Sequence, residues 1–378
     1  MSIPKILFLC TGVGIFNRGI ETFFRDAFDG LRGSVDVEIE LAKGAGPKKP
    51  GEHVLWNLPR TGMLAKAVGA CVRRNGYVVE QLSAFPEAIA LIRRWRPQVI
   101  FYSDSNLGFQ LHRWRRKIGV PFKLLFSNGG PCSPPFDRTD FVQQVAPPYL
   151  EEALAAGEPR EKHFMIPYGI RVPAEPRVDP TAKAAVRAKL GLPLGRQIVL
   201  SVGWISRHHK RMDYVIEEVA KLPQPRPFLQ LLGAMDAGST EIVDLGHRLL
   251  GPAGFGVCSV GTDEVAAYYR AADVFVLASL AEGFGRVYIE ALMHGLPVIA
   301  HRHPVMEFVL GGEGELGDLK KAETLTGLLS EALAEIPSDE RLRRRWLSVR
   351  ERFDWAALAP QYVEMFKTCA RQAISLEA

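Results

Sequence analysis

The sequence predicts an α/β protein built of two doubly wound parallel sheets, one per domain, facing each other across a cleft. Short apolar runs alternate with helical segments of roughly 10–15 residues, the signature of right-handed βαβ units. The alternation is interrupted once. Tyr168-Gly-Ile-Arg-Val-Pro-Ala-Glu-Pro-Arg-Val-Asp-Pro180 carries three prolines and no periodicity, and the same alternation then resumes. The chain has 378 residues, enough for two domains at roughly 100–200 residues each.

In the first half, Lys5–Cys10 is a strand that runs into the loop Thr11-Gly-Val-Gly-Ile-Phe-Asn-Arg-Gly19, and a helix follows from about Ile20. Val35–Leu41 alternates apolar and acidic residues, as a strand with one wet face does. Tyr77–Glu80, Val99–Ser103 and Phe122–Phe126 read as further strands, separated by helical patterns at Thr61–Arg74, Ala84–Trp95 and Leu107–Ile118. In the second half, strands are expected at Ile198–Val202, Phe228–Leu232, Gly256–Val260, Val274–Leu277 and Val298–Ala300. Helices are expected at about Met212–Lys221, Ser239–Leu250, Asp263–Ala271 and Arg286–His294, and the tail from Lys321 is helical. The expected domains are therefore 1–170, a linker over 171–180, a second domain over 181–355, and a closing helix over 356–378 that packs back toward the first domain.

Composition excludes several classes. Hydrophobic residues make up 47% and charged residues 24%, so a disordered or fibrous chain is ruled out. No stretch reaches the roughly 20 apolar residues of a membrane span, and the apolar run Ile6–Cys10 is too short for the core of a secretory leader. Five scattered cysteines without a CxxC pair fit reduced thiols in a cytoplasmic protein. There is no HExxH motif and no histidine cluster at ligand spacing, so no metal is expected. The glycines of the first loop lack the GxGxxG spacing, which argues against a nicotinamide dehydrogenase. GxSxG is absent too.

Ligands of doubly wound sheets bind beyond the carboxyl ends of the strands, so the loops after strands carry the chemistry. The most informative segment is Ser279-Leu-Ala-Glu-Gly-Phe-Gly-Arg-Val-Tyr-Ile-Glu290. Glu282 sits in a loop that Gly283 and Gly285 allow to approach a ligand closely. Glu290 lies about one turn inside the helix that starts near Arg286, and side chains there lean back toward the helix start. Two carboxylates beside a positive helix end suit a polyhydroxylated ligand. The alternative is an N-terminal acid plus a surface ion pair. Against it, Tyr288, Ile289, Ala291 and Leu292 make the helix apolar nearly all round, so a buried Glu290 needs a polar partner.

The second segment is Gly203-Trp-Ile-Ser-Arg-His-His-Lys-Arg211. A cationic cluster at a strand end suits a diphosphate, with Arg207 and Lys210 as the candidate cations. Arg211 is read as facing solvent, and His208 and His209 as packing or rim residues. Asp104-Ser-Asn106 closes another strand and is a candidate on the same cleft.

The chain resembles the family-4 retaining glycosyltransferases of the two-Rossmann (GT-B) fold. Glu282-Gly-Phe-Gly-Arg-Val-Tyr-Ile-Glu290, followed by Gly295-Leu-Pro-Val298, is similar to that family's paired-glutamate motif. Arg18-Gly-Ile-Glu21 is similar to its Gly-Gly-x-Glu loop, and Ile166-Pro-Tyr-Gly-Ile170 to its Ile-Pro-Asn-Gly segment. The resemblance implies that Glu290 holds the nucleotide ribose, that Glu282 holds the donor sugar, and that Lys210 binds phosphate. It further implies donor contacts from Gly283, Phe284, Gly285, Arg286, Val287, Gly14, Gly203 and Gly233, and acceptor-side candidates at Asn17, Arg18, Asp104, Asn106 and Asn128. The chain departs from the family at three places. Trp204 replaces an arginine, so Arg207 stands in for it; Ser127 and Asn128 replace a histidine; and Arg302-His303 replaces a glycine pair before Pro304-Val-Met-Glu307.

The expected function is metal-independent, retaining transfer of a hexose from a UDP- or GDP-linked sugar to a glycan or lipid-linked acceptor in envelope or extracellular polysaccharide synthesis. The nucleotide sugar is a co-substrate, and no cofactor or nucleic acid is expected. A nucleotide-sugar hydrolase or epimerase, or a non-catalytic binding subunit, are the alternatives. Charge is uneven: residues 1–172 carry 23 Lys/Arg against 16 Asp/Glu, the remainder 24 against 26. Arg93-Arg-Trp-Arg96 and Arg113-Trp-Arg-Arg-Lys117 join cations to tryptophans, which points to peripheral contact of the first domain with the inner membrane face. The alternative is that these are helix-terminal cations and core tryptophans.

Overall fold

The computed structural model describes residues 3–16, 18–174, 180–335 and 338–372. It divides into two compact units, Met1–Arg171 with Phe353–Ala378, and Val172–Arg352.

The first unit runs β1 (Lys5–Cys10), α1 (Gly19–Leu31), β2 (Glu38–Lys43), β3 (Glu52–Val54), α2 (Met63–Cys71), α3 (Gly76–Ser83), α4 (Phe85–Trp95), β4 (Val99–Tyr102), α5 (Ser105–Ile118), β5 (Lys123–Asn128), β6 (Phe141–Gln144), α6 (Pro147–Ala155) and β7 (His163–Met165). Its sheet has the order β3-β2-β1-β4-β5-β6-β7, with every pairing parallel. Strand β4, and β1 after its first residue Lys5, are apolar and buried, as a sheet covered on both faces requires.

The second unit runs α7 (Pro180–Leu190), β8 (Ile198–Val202), α8 (Met212–Ala220), β9 (Phe228–Leu232), α9 (Ser239–Leu250), β10 (Phe255–Cys258), α10 (Thr262–Ala271), β11 (Val274–Leu277), α11 (Arg286–Met293), β12 (Val298–His301), α12 (Pro304–Leu310), β13 (Glu315–Gly317), α13 (Thr324–Ala334) and α14 (Asp339–Phe353). Its parallel sheet has the order β10-β9-β8-β11-β12-β13. The expected doubly wound α/β class is thus found in both units.

The chain returns to the first unit at Phe353, before the expected changeover at 355. The Ile170 amide donates to the Phe353 carbonyl at 2.8 Å. The Trp355 indole lies so close to Gly30 and Gly169 that a Cβ on either glycine would stand 3.0 and 2.6 Å from it. Helix α15 (Trp355–Arg371) then adds Tyr362 and Phe366 to an aromatic core. The Phe366 ring lies 5.7 Å from Phe8 and 5.5 Å from Phe101, a spacing that favours edge contacts. Part of the expected linker, residues 175–179, lies outside the described residues.

Tyr77–Glu80, expected as a strand, is helical. Asn75 caps α3 by accepting from the Val78 amide at 3.0 Å, and the cap outweighs the β preference of Tyr-Val-Val. The short strands β3, β6, β7 and β13 and helices α6, α7 and α12 were not read from the sequence.

Candidate functional site

Strand β11 ends at Leu277 and α11 begins at Arg286. Gly285 makes the turn between them, with φ of 76°. A Cβ there would also stand 2.7 Å from the Tyr288 ring, so glycine is required twice over. The loop holds Glu282 with its side chain only 10% exposed, and Lys210 Nζ donates to Glu282 Oε1. The two segments singled out in the sequence are therefore joined by one ion pair. Tyr288 locks the start of α11 by donating to the Leu277 carbonyl at 3.0 Å. Burial and the nearby Glu282 charge push its hydroxyl well above the usual range, so it stays protonated.

Glu290 has the polar partners that its apolar helix demanded. The Tyr269 hydroxyl donates to Glu290 Oε2 at 3.0 Å, and Arg286 Nε lies 3.9 Å from Oε1. Tyr269 is fully buried, and burial together with Glu290 holds its hydroxyl well above its ordinary pKa. It is therefore a fixed donor. The His294 ring stacks on Tyr269, with centroids 5.4 Å apart, and donates Nδ1–H to the Glu290 carbonyl at 2.8 Å. Burial lowers its pKa, which keeps the ring neutral. Neither Tyr269 nor His294 was found from the sequence. They lie on another helix and at the helix end, and the only clue was the unmet need of Glu290. Ser279 Oγ, in the same loop, is buried without a hydrogen-bond partner, a hydroxyl whose capacity is unused. Phe284 is buried and Val287 half-buried at the start of α11.

Gly203 and Gly233 follow β8 and β9 and touch. A Cβ on Gly233 would stand 1.8 Å from the Gly203 carbonyl oxygen, and one on Gly203 would stand 3.3 Å from the Lys210 side chain. Small residues here let Lys210 lie along the strand ends.

Arg207 is not brought to Glu282 or Lys210 by any contact described. Its side chain is 51% exposed and lies 3.5 Å from Asp213 and 3.9 Å from Glu241, so acids on α8 and α9 claim it. Arg211 does not face solvent as expected. Its guanidinium donates to the Leu319 carbonyl at 2.7 Å and covers the Tyr214 ring at 4.2 Å. His208 and His209 are exposed.

In the first unit, Asp104 stands at the N-cap position of α5, is buried, and turns its carboxylate away from the helix to accept from the Thr11 amide at 2.6 Å and from Gln81 Nε2 at 3.2 Å. Burial pushes its pKa up to about 6. Asn106 Nδ2 donates to Gln81 Oε1 at 2.9 Å. Glu80, missed because its segment was read as a strand, is buried and accepts from Thr11 and bidentately from Arg60. The Arg60 guanidinium lies over the Phe16 ring at 4.6 Å and the Tyr77 ring at 4.2 Å. Arg18 also covers Phe16, at 4.6 Å. Glu21 is buried against Gly12. Gly14, expected near the donor, packs on the backbone of Ala45; a Cβ there would stand 2.1 Å from its carbonyl oxygen. Asn128, expected on the acceptor side, spends its amide internally. It donates to the Cys132 carbonyl and Gln144 and accepts from the Cys132 amide at 2.7 Å. Asn17 lies outside the described residues. Among the described residues no three His, Cys, Asp or Glu side chains gather as metal ligands, and no helix is long and apolar enough to cross a membrane.

Two units, each a doubly wound parallel sheet, define a GT-B-type architecture, and the comparisons agree. Residues 182–347 match the family model for glycosyl transferases group 1. The chain is 29% identical over 178 residues to an alpha-monoglucosyldiacylglycerol synthase of Streptococcus pneumoniae, covering 46% of this chain and 40% of that protein. It is 29% identical over 247 residues to a D-inositol 3-phosphate glycosyltransferase of Segniliparus rotundus, covering 62% and 53%. The chain spans about half the length of the curated relatives it matches. The structure of Anabaena Alr3699/HepE in complex with UDP and glucose superposes with a TM-score of 0.74 at 19% identity, covering 97% of this chain and 100% of that one. The chain has the GT-B fold, its second unit carries a glycosyl transferases group 1 domain, and the family resemblance read from the paired-glutamate motif is upheld.

Proposed function

We propose that this chain transfers a hexose from a nucleotide-diphosphate sugar to a glycan or lipid-linked acceptor, with retention of anomeric configuration and without a metal. The observation that carries the reading is the pairing of Lys210 with Glu282 beside a Glu290 carboxylate held by Tyr269. Structural neighbours bound to UDP and to UDP-glucose support a uridine donor, and relatives named for glycolipid and lipopolysaccharide core synthesis support an envelope acceptor.

In this reading Glu290, oriented by the Tyr269 hydroxyl and Arg286, accepts hydrogen bonds from the ribose hydroxyls. The donor's diphosphate draws Lys210 away from Glu282. That frees the Glu282 carboxylate for sugar hydroxyls and sets Lys210 against the charge that grows as the diphosphate leaves, which is stabilisation aimed at the transition state. The sugar passes through an oxocarbenium-like state as its bond to the diphosphate breaks, and the acceptor hydroxyl attacks the face that the phosphate leaves and gives its proton to the departing diphosphate. Arg207, tied to Asp213 and Glu241, is at most a peripheral cation, so Lys210 carries the electrostatic role.

The test is a thermal-shift screen against UDP, GDP, ADP and TDP sugars, followed by product analysis with and without acceptor lipid or glycan. Binding raises stability with the logarithm of ligand concentration over Kd. Transfer is expected only with acceptor, and chelators are expected to leave it unchanged. Sugar released at the same rate from donor alone identifies a hydrolase instead.

A further inference from the structure

The diphosphate of a nucleotide sugar carries more negative charge than Lys210 offsets alone. The second cation expected from the sequence, Arg207, is claimed by Asp213 and Glu241. Arg211 is held by the Leu319 carbonyl and the Tyr214 ring. Another cation stands inside the paired-glutamate segment itself. Arg286 is the first residue of α11, and only 9% of its side chain is exposed.

That placement breaks two local rules. The start of a helix carries a partial positive charge, so a cation there is disfavoured and an acid is favoured. A helical ion pair is also stronger when the acid precedes the base. Here the base is residue 286 and the acid residue 290, with Arg286 Nε 3.9 Å from Glu290 Oε1. Glu290 has a closer partner in any case, because the Tyr269 hydroxyl donates to it at 3.0 Å. A buried cation set against a positive helix end, in a pair of the weaker order, is a conflict of the kind that functional sites retain. An anion at the start of α11 resolves it, since both the helix end and the guanidinium favour negative charge.

The order of groups in the ligand says which anion belongs there. In a nucleotide sugar the diphosphate joins the sugar to the ribose. In the transfer reading Glu282 takes the sugar and Glu290 the ribose, so the diphosphate lies between the two carboxylates. Arg286 lies between them in the chain, four residues from each. Each carboxylate already faces a cation, Glu282 facing Lys210 and Glu290 facing Arg286. We propose that Arg286 binds the donor's diphosphate together with Lys210 and fills the role expected of Arg207. This inference rests on the transfer reading and adds a residue to it. A guanidinium presents several N–H donors in a planar fork, so Arg286 keeps its pair with Glu290 while other donors reach phosphate oxygens.

The test is isothermal titration of the full chain with UDP against uridine, and with GDP against guanosine. Arg286→Gln is expected to weaken diphosphate binding roughly tenfold to hundredfold, the scale of charge-assisted hydrogen bonds lost, and to leave nucleoside binding unchanged. Glu290→Ala is expected to weaken nucleoside and diphosphate alike, since the ribose is common to both. Arg286→Lys keeps the charge without the fork and is expected to fall between wild type and Arg286→Gln; it carries the same comparison if the glutamine variant fails to fold. The proposal is overturned if Arg286→Gln weakens nucleoside and diphosphate in equal proportion, which would make Arg286 a support for Glu290 alone. It is also overturned if Arg286→Gln binds the diphosphate as wild type does, or if Arg207→Gln shows the selective loss in its place. In each of those cases wild type still binds a nucleoside diphosphate, so the transfer reading stands. If wild type binds neither UDP nor GDP, the transfer reading fails and this inference with it.

Discussion

The two units share one topology and differ in how their polar residues are assembled. Both sheets place the first strand of the unit in the interior, third from one edge, and wind outward on either side. In the second unit the polar centre is compact in sequence: Glu282, Gly285, Arg286 and Glu290 lie within one loop and one helix, and only Lys210 and Tyr269 come from elsewhere. In the first unit Thr11, Glu21, Arg60, Glu80, Gln81 and Asp104 converge from α1, α3, the ends of β1 and β4, and the segment before α2. A site folded from adjacent residues leaves a motif. A site folded from distant ones leaves only isolated polar residues in apolar surroundings. The sharpest contrast to test is therefore between separable pairs in the second unit and one coupled network in the first.

The largest effect is expected at Lys210. Lys210→Ala should lower kcat by about 10²–10³-fold with a smaller rise in donor KM, the scale for removing one group aimed at developing charge. Because Lys210 and Glu282 are paired, Lys210→Ala/Glu282→Gln should lose less than the sum of the two single losses. Steady-state kinetics on all three variants checks this, and strict additivity would show that the pair has no joint role.

Next comes packing under the network of the first unit. Gly108 lies in α5 where a Cβ would stand 1.9 Å from the Tyr102 ring. Gly108→Ala should destabilise by about 1–3 kcal/mol through overpacking, measured by denaturant unfolding.

A smaller effect is expected at Tyr269. Tyr269→Phe removes the hydrogen bond to Glu290 Oε2 and keeps the ring that stacks on His294. One such bond is worth about 0.5–1.5 kcal/mol. Donor KM should rise by roughly threefold to tenfold with kcat nearly unchanged, while Glu290→Ala should weaken donor binding further. Equal losses in kcat and KM would mean that Glu290 acts on the sugar and not on the nucleotide.

These expectations also mark what was legible before the fold was known. The parallel α/β class and the centre of the second unit were readable because buried strands are continuous apolar runs and because the Glu282–Glu290 spacing is local. The need of Glu290 for a partner was readable as well, but Tyr269 was not, since its position in space depends on how α10 packs on α11. Tyr77–Glu80 was misread because its residues favour strands, and a single cap at Asn75 decided otherwise. That error hid Glu80, and with it Arg60.

The smallest expected effect tests the network of the first unit through pH. Burial raises Asp104 from the ordinary 3.8 to about 6, so the folded chain holds this proton more tightly than the unfolded chain does. The sign follows from proton counts. Below about pH 4 both states are protonated and Asp104 costs nothing. Between pH 4 and 6 the unfolded chain ionises first, so stability falls as pH rises. Above about 6 both states are ionised and the penalty is constant. Asp104→Asn stays neutral throughout, and its amide oxygen can still accept from the Thr11 N–H. The difference in Tm between variant and wild type should therefore grow more favourable to the variant from pH 4 to 6 and level off above that. Thermal unfolding of both proteins across pH 4 to 8 measures it. A flat difference would mean that the Thr11 and Gln81 donors hold the carboxylate ionised, and that the network is fixed in charge across this range.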